Sequence, residues 1–127
     1  MSPSPAGGGS ARSAGWVTGH GMSETLRRVQ ALIFGGEYVV SDHAFNALDE
    51  DAIVAGDAIA GIAAAIPIED YPDRLRGPSV LALQYDGSGR AIHVVWGIPA
   101  GQRSPAVLVT AYRPHPALWD SEFRKRK

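Results

Sequence analysis

Between Pro78 and Trp119 the chain alternates three β-rich runs with two turn-rich breaks. The runs read SVLALQYD, AIHVVWGIP and AVLVTAYRP, and the breaks read GSGR and AGQRSP. Gly87-Ser88-Gly89 is a good tight hairpin turn, and Tyr112-Arg113-Pro114 stops the last run abruptly. Strands this closely spaced pair with one another before anything else, so the rest of the chain has to cover the sheet they make. A fourth run, Ile66 to Tyr71, precedes them. Pro67 cannot donate to a ladder, which places that run at an edge.

Upstream of the strands the periodicity is helical. Ser23 is a capping residue, Glu24 suits a first turn, and Leu26, Val29 and Ile33 follow at helical spacing. Gly35-Gly36 stops that helix. Tyr38-Val39-Val40 is a short extended run. Ser41 or Asp42 then caps a second helix, His43 to about Leu48, and Asp49-Glu50-Asp51 opens a third. The third helix has Ala55, Ile59 and Ile62 on its apolar face, helped by Ala58 and Ala63. Gly56 and Gly61 each weaken it by about 1 kcal/mol relative to alanine, so packing must hold it. After Pro114 and Pro116, the side chains of Leu118, Trp119 and Phe123 are expected to fold a closing segment back onto the body.

The expected architecture is an α+β domain, with two or three N-terminal helices packed on a four-stranded antiparallel sheet. At 127 residues the chain suits one domain that buries roughly two thirds of its unfolded surface. Residues 1–22 are rich in Gly, Ser, Pro and Ala and read as a disordered leader, or as an extension upstream of a working start at Met22; residues 23–127 form the domain. Within the leader, Trp16 is the one residue suited to docking and His20 is expected to be inert. The absence of cysteine excludes a disulfide framework and thiolate chemistry, and fits a cytoplasmic location. No membrane span or secretory signal is legible. A net charge of −1 argues against a protein that coats nucleic acid nonspecifically. Arg124 to Lys127 make a local basic end, whose plain reading is a solubilising tail.

Alternation assigns the strand faces. Ile92, Val94, Trp96 and Ile98 share one side, with His93, Val95 and Gly97 on the other. In the last strand, Val107, Val109 and Ala111 share a side with Arg113, opposite Leu108, Thr110 and Tyr112. The more polar sheet face is then expected to gather Glu69, Tyr71, His93, Thr110 and Tyr112.

Four segments, SDHAFNALDEDAI, IEDYP, GPSVLALQYDGSGRAIHVVWG and VLVTAYRPHPALWDSEFRKR, together resemble the bacterial domain-of-unknown-function family numbered 4258. The likeness covers roughly residues 38–126. It departs where many members carry an arginine after the H-A pair and this chain has Asn46, Ala47 and Leu48. The resemblance implies a RelE-toxin-like fold and a metal-independent ribonuclease of a toxin–antitoxin pair. RNA would be the substrate and a small zinc-finger antitoxin the partner. The alternative is a non-catalytic protein-binding module that uses the polar sheet face or the edge strand.

Metal-free RNA cleavage needs a base, an acid and a cation at the phosphate. His93 and His43 are the acid–base candidates, and Arg113 is the catalytic cation. Arg90, Tyr71 and Tyr112 are the substrate-binding candidates. Each has a plainer reading. His93 is satisfied by its neighbours, His43 orients a helix turn, and Arg113 forms a structural ion pair with Asp70, Asp73 or Asp120. Arg90 is solvated in a turn, and the tyrosines pack. No metal or other cofactor is expected, because the histidines lack ligand spacing.

Overall fold

The computed structural model describes residues 23–127, so the leader, with Trp16 and His20, lies outside it. Among the described residues there are three helices: α1 Glu24–Phe34, α2 Asp42–Glu50 and α3 Ala55–Ala60, the last followed by a 3₁₀ turn at Gly61–Ala64. They accompany five strands: β1 Tyr38–Val40, β2 Ile66–Tyr71, β3 Ser79–Tyr85, β4 Ala91–Gly97 and β5 Ala106–Tyr112. The sheet order is β1-β5-β4-β3-β2. The pairs from β2 to β5 are antiparallel, and β1 joins β5 in parallel.

The sheet is therefore five-stranded and mixed, where four antiparallel strands were expected. The fifth is the Tyr38–Val40 run. Its partner lies at the far end of the chain, so local sequence shows an extended stretch but not where it pairs.

Local chemistry explains the helix ends. The Ser23 hydroxyl accepts from the Leu26 N–H and donates to Asp70 of β2, which fixes α1 to the sheet. Ser41 caps α2 by accepting from the Ala44 N–H. The acidic trio Asp49 to Asp51 ends α2 and does not open α3. Ala52 turns through a positive φ of 53°, and α3 begins only at Ala55.

The helices cover one face of the sheet. Leu26, Val29 and Ile33 of α1, Ala44 and Leu48 of α2, and Ala58 and Ile62 pack against Val80, Ile92, Val94, Trp96, Ala106, Leu108 and Ala111. A bulge reassigns β5. Val95 pairs with Thr110, whereas Trp96 pairs with Leu108, so Val109 is the extra residue. Leu108 consequently faces the helix core beside Trp96, opposite to the side that simple alternation gives it. Val109 joins Val107 and Tyr112 on the other face.

One polar residue is built into this core. Gln84 is fully buried; its Oε1 accepts from the Trp96 indole N–H at 2.9 Å, and its Nε2 donates to the Ala58 carbonyl at 2.7 Å. It thereby ties β3, β4 and α3 together. Replacing Gln84 by Leu leaves a buried donor and a buried acceptor unpaired, each worth about 1–3 kcal/mol. The expected loss is about 2–4 kcal/mol, measured as a fall in the midpoint of urea unfolding with an unchanged slope.

Candidate functional site

Among the described residues, no helix packs on the second sheet face. The C-terminal segment after Pro114 crosses one end of it, and the other end is an open trough. Trp119 is buried there, and its ring meets His93 edge-on with centroids 4.4 Å apart. A lone bridge between Trp119 and Arg126 holds the segment in a loop.

His93 lies beneath this segment and is fully buried. Its Nε2 sits 2.7 Å from the Phe123 carbonyl oxygen, which can only accept, so Nε2 carries the proton. Nδ1 is then free to accept from the Tyr112 hydroxyl at 3.2 Å. Both ring nitrogens are used by the protein. Desolvation holds the imidazole below its ordinary value of 6.5, partly offset by the bond to Phe123. Burial likewise raises Tyr112. This is the plainer of the two readings of His93: a histidine satisfied by its neighbours.

The remaining candidates do not converge on His93. Arg113 is a clip at the end of β5. Its backbone N–H donates to Asp51 Oδ2 at 2.7 Å, its Nε to the Asp51 carbonyl at 3.1 Å, and its Nη2 to the Ala52 carbonyl at 3.2 Å. Nη2 also pairs with Asp86 at 2.9 Å. The ion partner is thus Asp86 of the hairpin turn, not Asp70, Asp73 or Asp120. Hydrogen bonds from Ser88 and Arg90, reinforced by Arg113, hold Asp86 far below the usual carboxylate range. Arg90 is exposed in that turn and lines neither the trough nor the cleft beside His43. His43 is exposed on α2 and lines a separate cleft of 400 Å³ with Asn46, Glu50, Asp51 and Thr110. Tyr112 lines both clefts.

The trough is the larger space, at 770 Å³. Its lining includes the aliphatic side chains of Leu81, Val95, Val107 and Val109, with Tyr71 and Tyr112 alongside. Arg74, Arg76 and Arg126 also contribute. The Arg74 guanidinium lies 4.1 Å above the Tyr71 ring, and Arg126 pairs with Glu69 at 3.1 Å. Gly77 shapes one end. At φ +119°, an added Cβ would fall 2.0 Å from the Ile98 carbonyl oxygen. Only glycine lets the β2–β3 loop lie against the β4–β5 loop.

Tyr71 and Tyr112 are therefore brought together, while the arginine rim and aliphatic floor were missed. Arg74 and Arg76 stand two residues apart in YPDRLRGP, in the loop between β2 and β3. Among the described residues, no group of three or more His, Cys, Asp or Glu side chains is placed to hold a metal, and no helix is long and apolar enough to cross a membrane.

A mixed sheet with helices on one face and a trough on the other defines an α+β fold. The family model described as "Domain of unknown function (DUF4258)" matches residues 40–113, and the chain belongs to that family. The match runs from the end of β1 to Arg113, so it includes α2, α3 and β2 to β5. No curated protein and no solved structure matches the chain.

A neutral buried imidazole gives a pH signature. Because His93 binds a proton more weakly folded than unfolded, its contribution to stability is full above about pH 6.5 and falls as pH drops through the folded value. Thermal unfolding temperatures should decline from pH 7 to pH 5 in the wild type. His93→Gln should lower stability at pH 7 and flatten that decline.

Proposed function

We propose that this chain is a non-catalytic protein-binding module. The trough receives a partner segment with an apolar stripe flanked by carboxylates. One observation carries this reading: an uncovered aliphatic floor, Val95, Val107 and Val109, with Leu81 buried beneath it, set beside three guanidinium groups. Apolar surface left open on a sheet marks an interaction site, and the charge beside it selects the sign of the partner. A branched aliphatic floor suits leucine or isoleucine side chains better than nucleobases, which stack on free aromatic faces. Here the Tyr71 face is taken by Arg74, and the Tyr112 hydroxyl is committed to His93. A small antitoxin-like protein is one partner of this chemistry.

The toxin-like ribonuclease with a RelE-like fold asks more of the molecule. It needs an imidazole free to exchange a proton beside the phosphate. His93 has both nitrogens occupied, His43 opens into another cleft, and Arg113 Nε and Nη2 are engaged by Asp51, Ala52 and Asp86.

The test uses the protein co-purified with its partner from its own host. Val107→Asp, and separately Arg74→Glu with Arg76→Glu, should each weaken that complex at least about tenfold, or about 1.4 kcal/mol, with unchanged circular dichroism. Because the rim is charged, the wild-type complex should also weaken as salt rises. Partner binding that ignores both variants would overturn the assignment of the trough.

RNA supplies a separate check. The wild-type protein, alone or with ribosomes, should leave RNA intact. Cleavage that Tyr112→Phe or His93→Gln abolishes would instead establish the enzyme.

A further inference from the structure

The two edges of the sheet are built differently. At the β2 edge, Pro67 lacks an N–H, the ladder bulges between Pro67 and Glu69, and Glu69 and Asp70 bring charge. These are the devices that keep an edge from pairing with another chain. At the β1 edge, Tyr38-Val39-Val40 has no charge, no proline and no bulge.

The hydrogen bonds show which backbone groups this edge leaves free. The Ala106 N–H donates to the Glu37 carbonyl, and the Ser41 N–H donates to the Leu108 carbonyl. With Val39 beside Val107 in parallel register, Glu37, Val39 and Ser41 direct their backbone groups toward β5. Alternation then turns the N–H and C=O of both Tyr38 and Val40 away from the sheet. The side chains around them are apolar and exposed. Tyr38 is 37% exposed and Val39 47%; Phe34 at 69% and Phe45 at 54% stand shortly before and after the strand.

We propose that a second copy of this chain pairs antiparallel with β1 across a two-fold axis through Val39. In that register each Tyr38 lies opposite the Val40 of its counterpart. Both residues present outward backbone groups, so they exchange hydrogen bonds, and the axis repeats the exchange. Every free N–H and C=O of both strands is then paired. A shift of one residue sets outward groups against inward ones, and a shift of two leaves half of them unmade. The same register puts Glu37 opposite Ser41, so no like charges meet. The strand is thus its own complement in both hydrogen bonding and charge, and the result is a continuous ten-stranded sheet.

The test exploits the absence of cysteine from the full chain. On the axis, the two Val39 positions form a non-hydrogen-bonded pair with Cα atoms about 4.5 Å apart, within disulfide reach. Val39→Cys should therefore give a covalent dimer under mild oxidation, and Glu69→Cys at the opposite edge should not. Tyr38→Pro deletes an outward N–H and no backbone donor that faces β5, and Tyr38→Ala controls for the lost ring. Tyr38→Pro should raise the dissociation constant of the wild-type dimer at least about tenfold in analytical ultracentrifugation, with the fold retained by circular dichroism. A wild-type chain that stays monomeric at every concentration overturns the proposal. So does a dimer in which Val39→Cys fails to cross-link. If Tyr38→Pro unfolds the chain, the cysteine pair decides alone. Loss of the trough partner by Arg74→Glu with Arg76→Glu, which lie far from β1, leaves this outcome unaffected, so the two readings fail separately.

Discussion

A single layer of helices can cover only one side of a sheet, and that constraint shapes the rest of this molecule. The covered side is an ordinary core, with Trp96, Ile92 and Val94 against α1 and α2. The uncovered side must be handled by other means. At one end the chain lays its own terminal segment over His93, with Trp119 as the buried anchor. At the other end nothing is laid over the aliphatic side chains, and a rim of arginines remains.

Because β1 spans only three residues, β5 loses its strand neighbour after Leu108. The edge beyond is finished by side chains of the residues that bracket α2. The Ser41 hydroxyl reaches the Val109 carbonyl, and the Asp51 carboxylate reaches the Arg113 N–H. Buried backbone groups need partners, and here a helix supplies through its two caps what a longer strand would have supplied. Arg113 then links that helix end to the β3–β4 hairpin through Asp86. Its strongly basic fork is committed to holding three elements in register.

Much of this was legible in the residues. The capping Ser23 with Leu26, Val29 and Ile33 marks α1 to its ends, and Pro67 correctly marks an edge strand. Alternation places Trp96 and Ile92 in the core. Three features were hidden for physical reasons. The partner of Tyr38–Val40 is some seventy residues away in sequence, beyond any local pattern. The bulge at Val109 reverses the faces of half of β5, and its cause is the pairing with β4, not a glycine that announces it. His93 follows the alternation rule but is buried by a tail whose docking no periodicity encodes. With His93 sealed, the open charged groups on that face are Arg74, Arg76 and Arg126 of the trough.

The charges are also sorted along the chain. Before Ile66 there are three basic and seven acidic residues; from Ile66 onward there are nine basic and six acidic. Much of the acidic excess sits on α2 and its cap, at Asp42, Asp49, Glu50 and Asp51, whereas the later part supplies the arginines of the trough, so a nearly neutral molecule still presents a basic trough. A negatively charged visitor would be turned to meet the correct side while still diffusing toward it, which raises the rate of productive encounters without adding a contact.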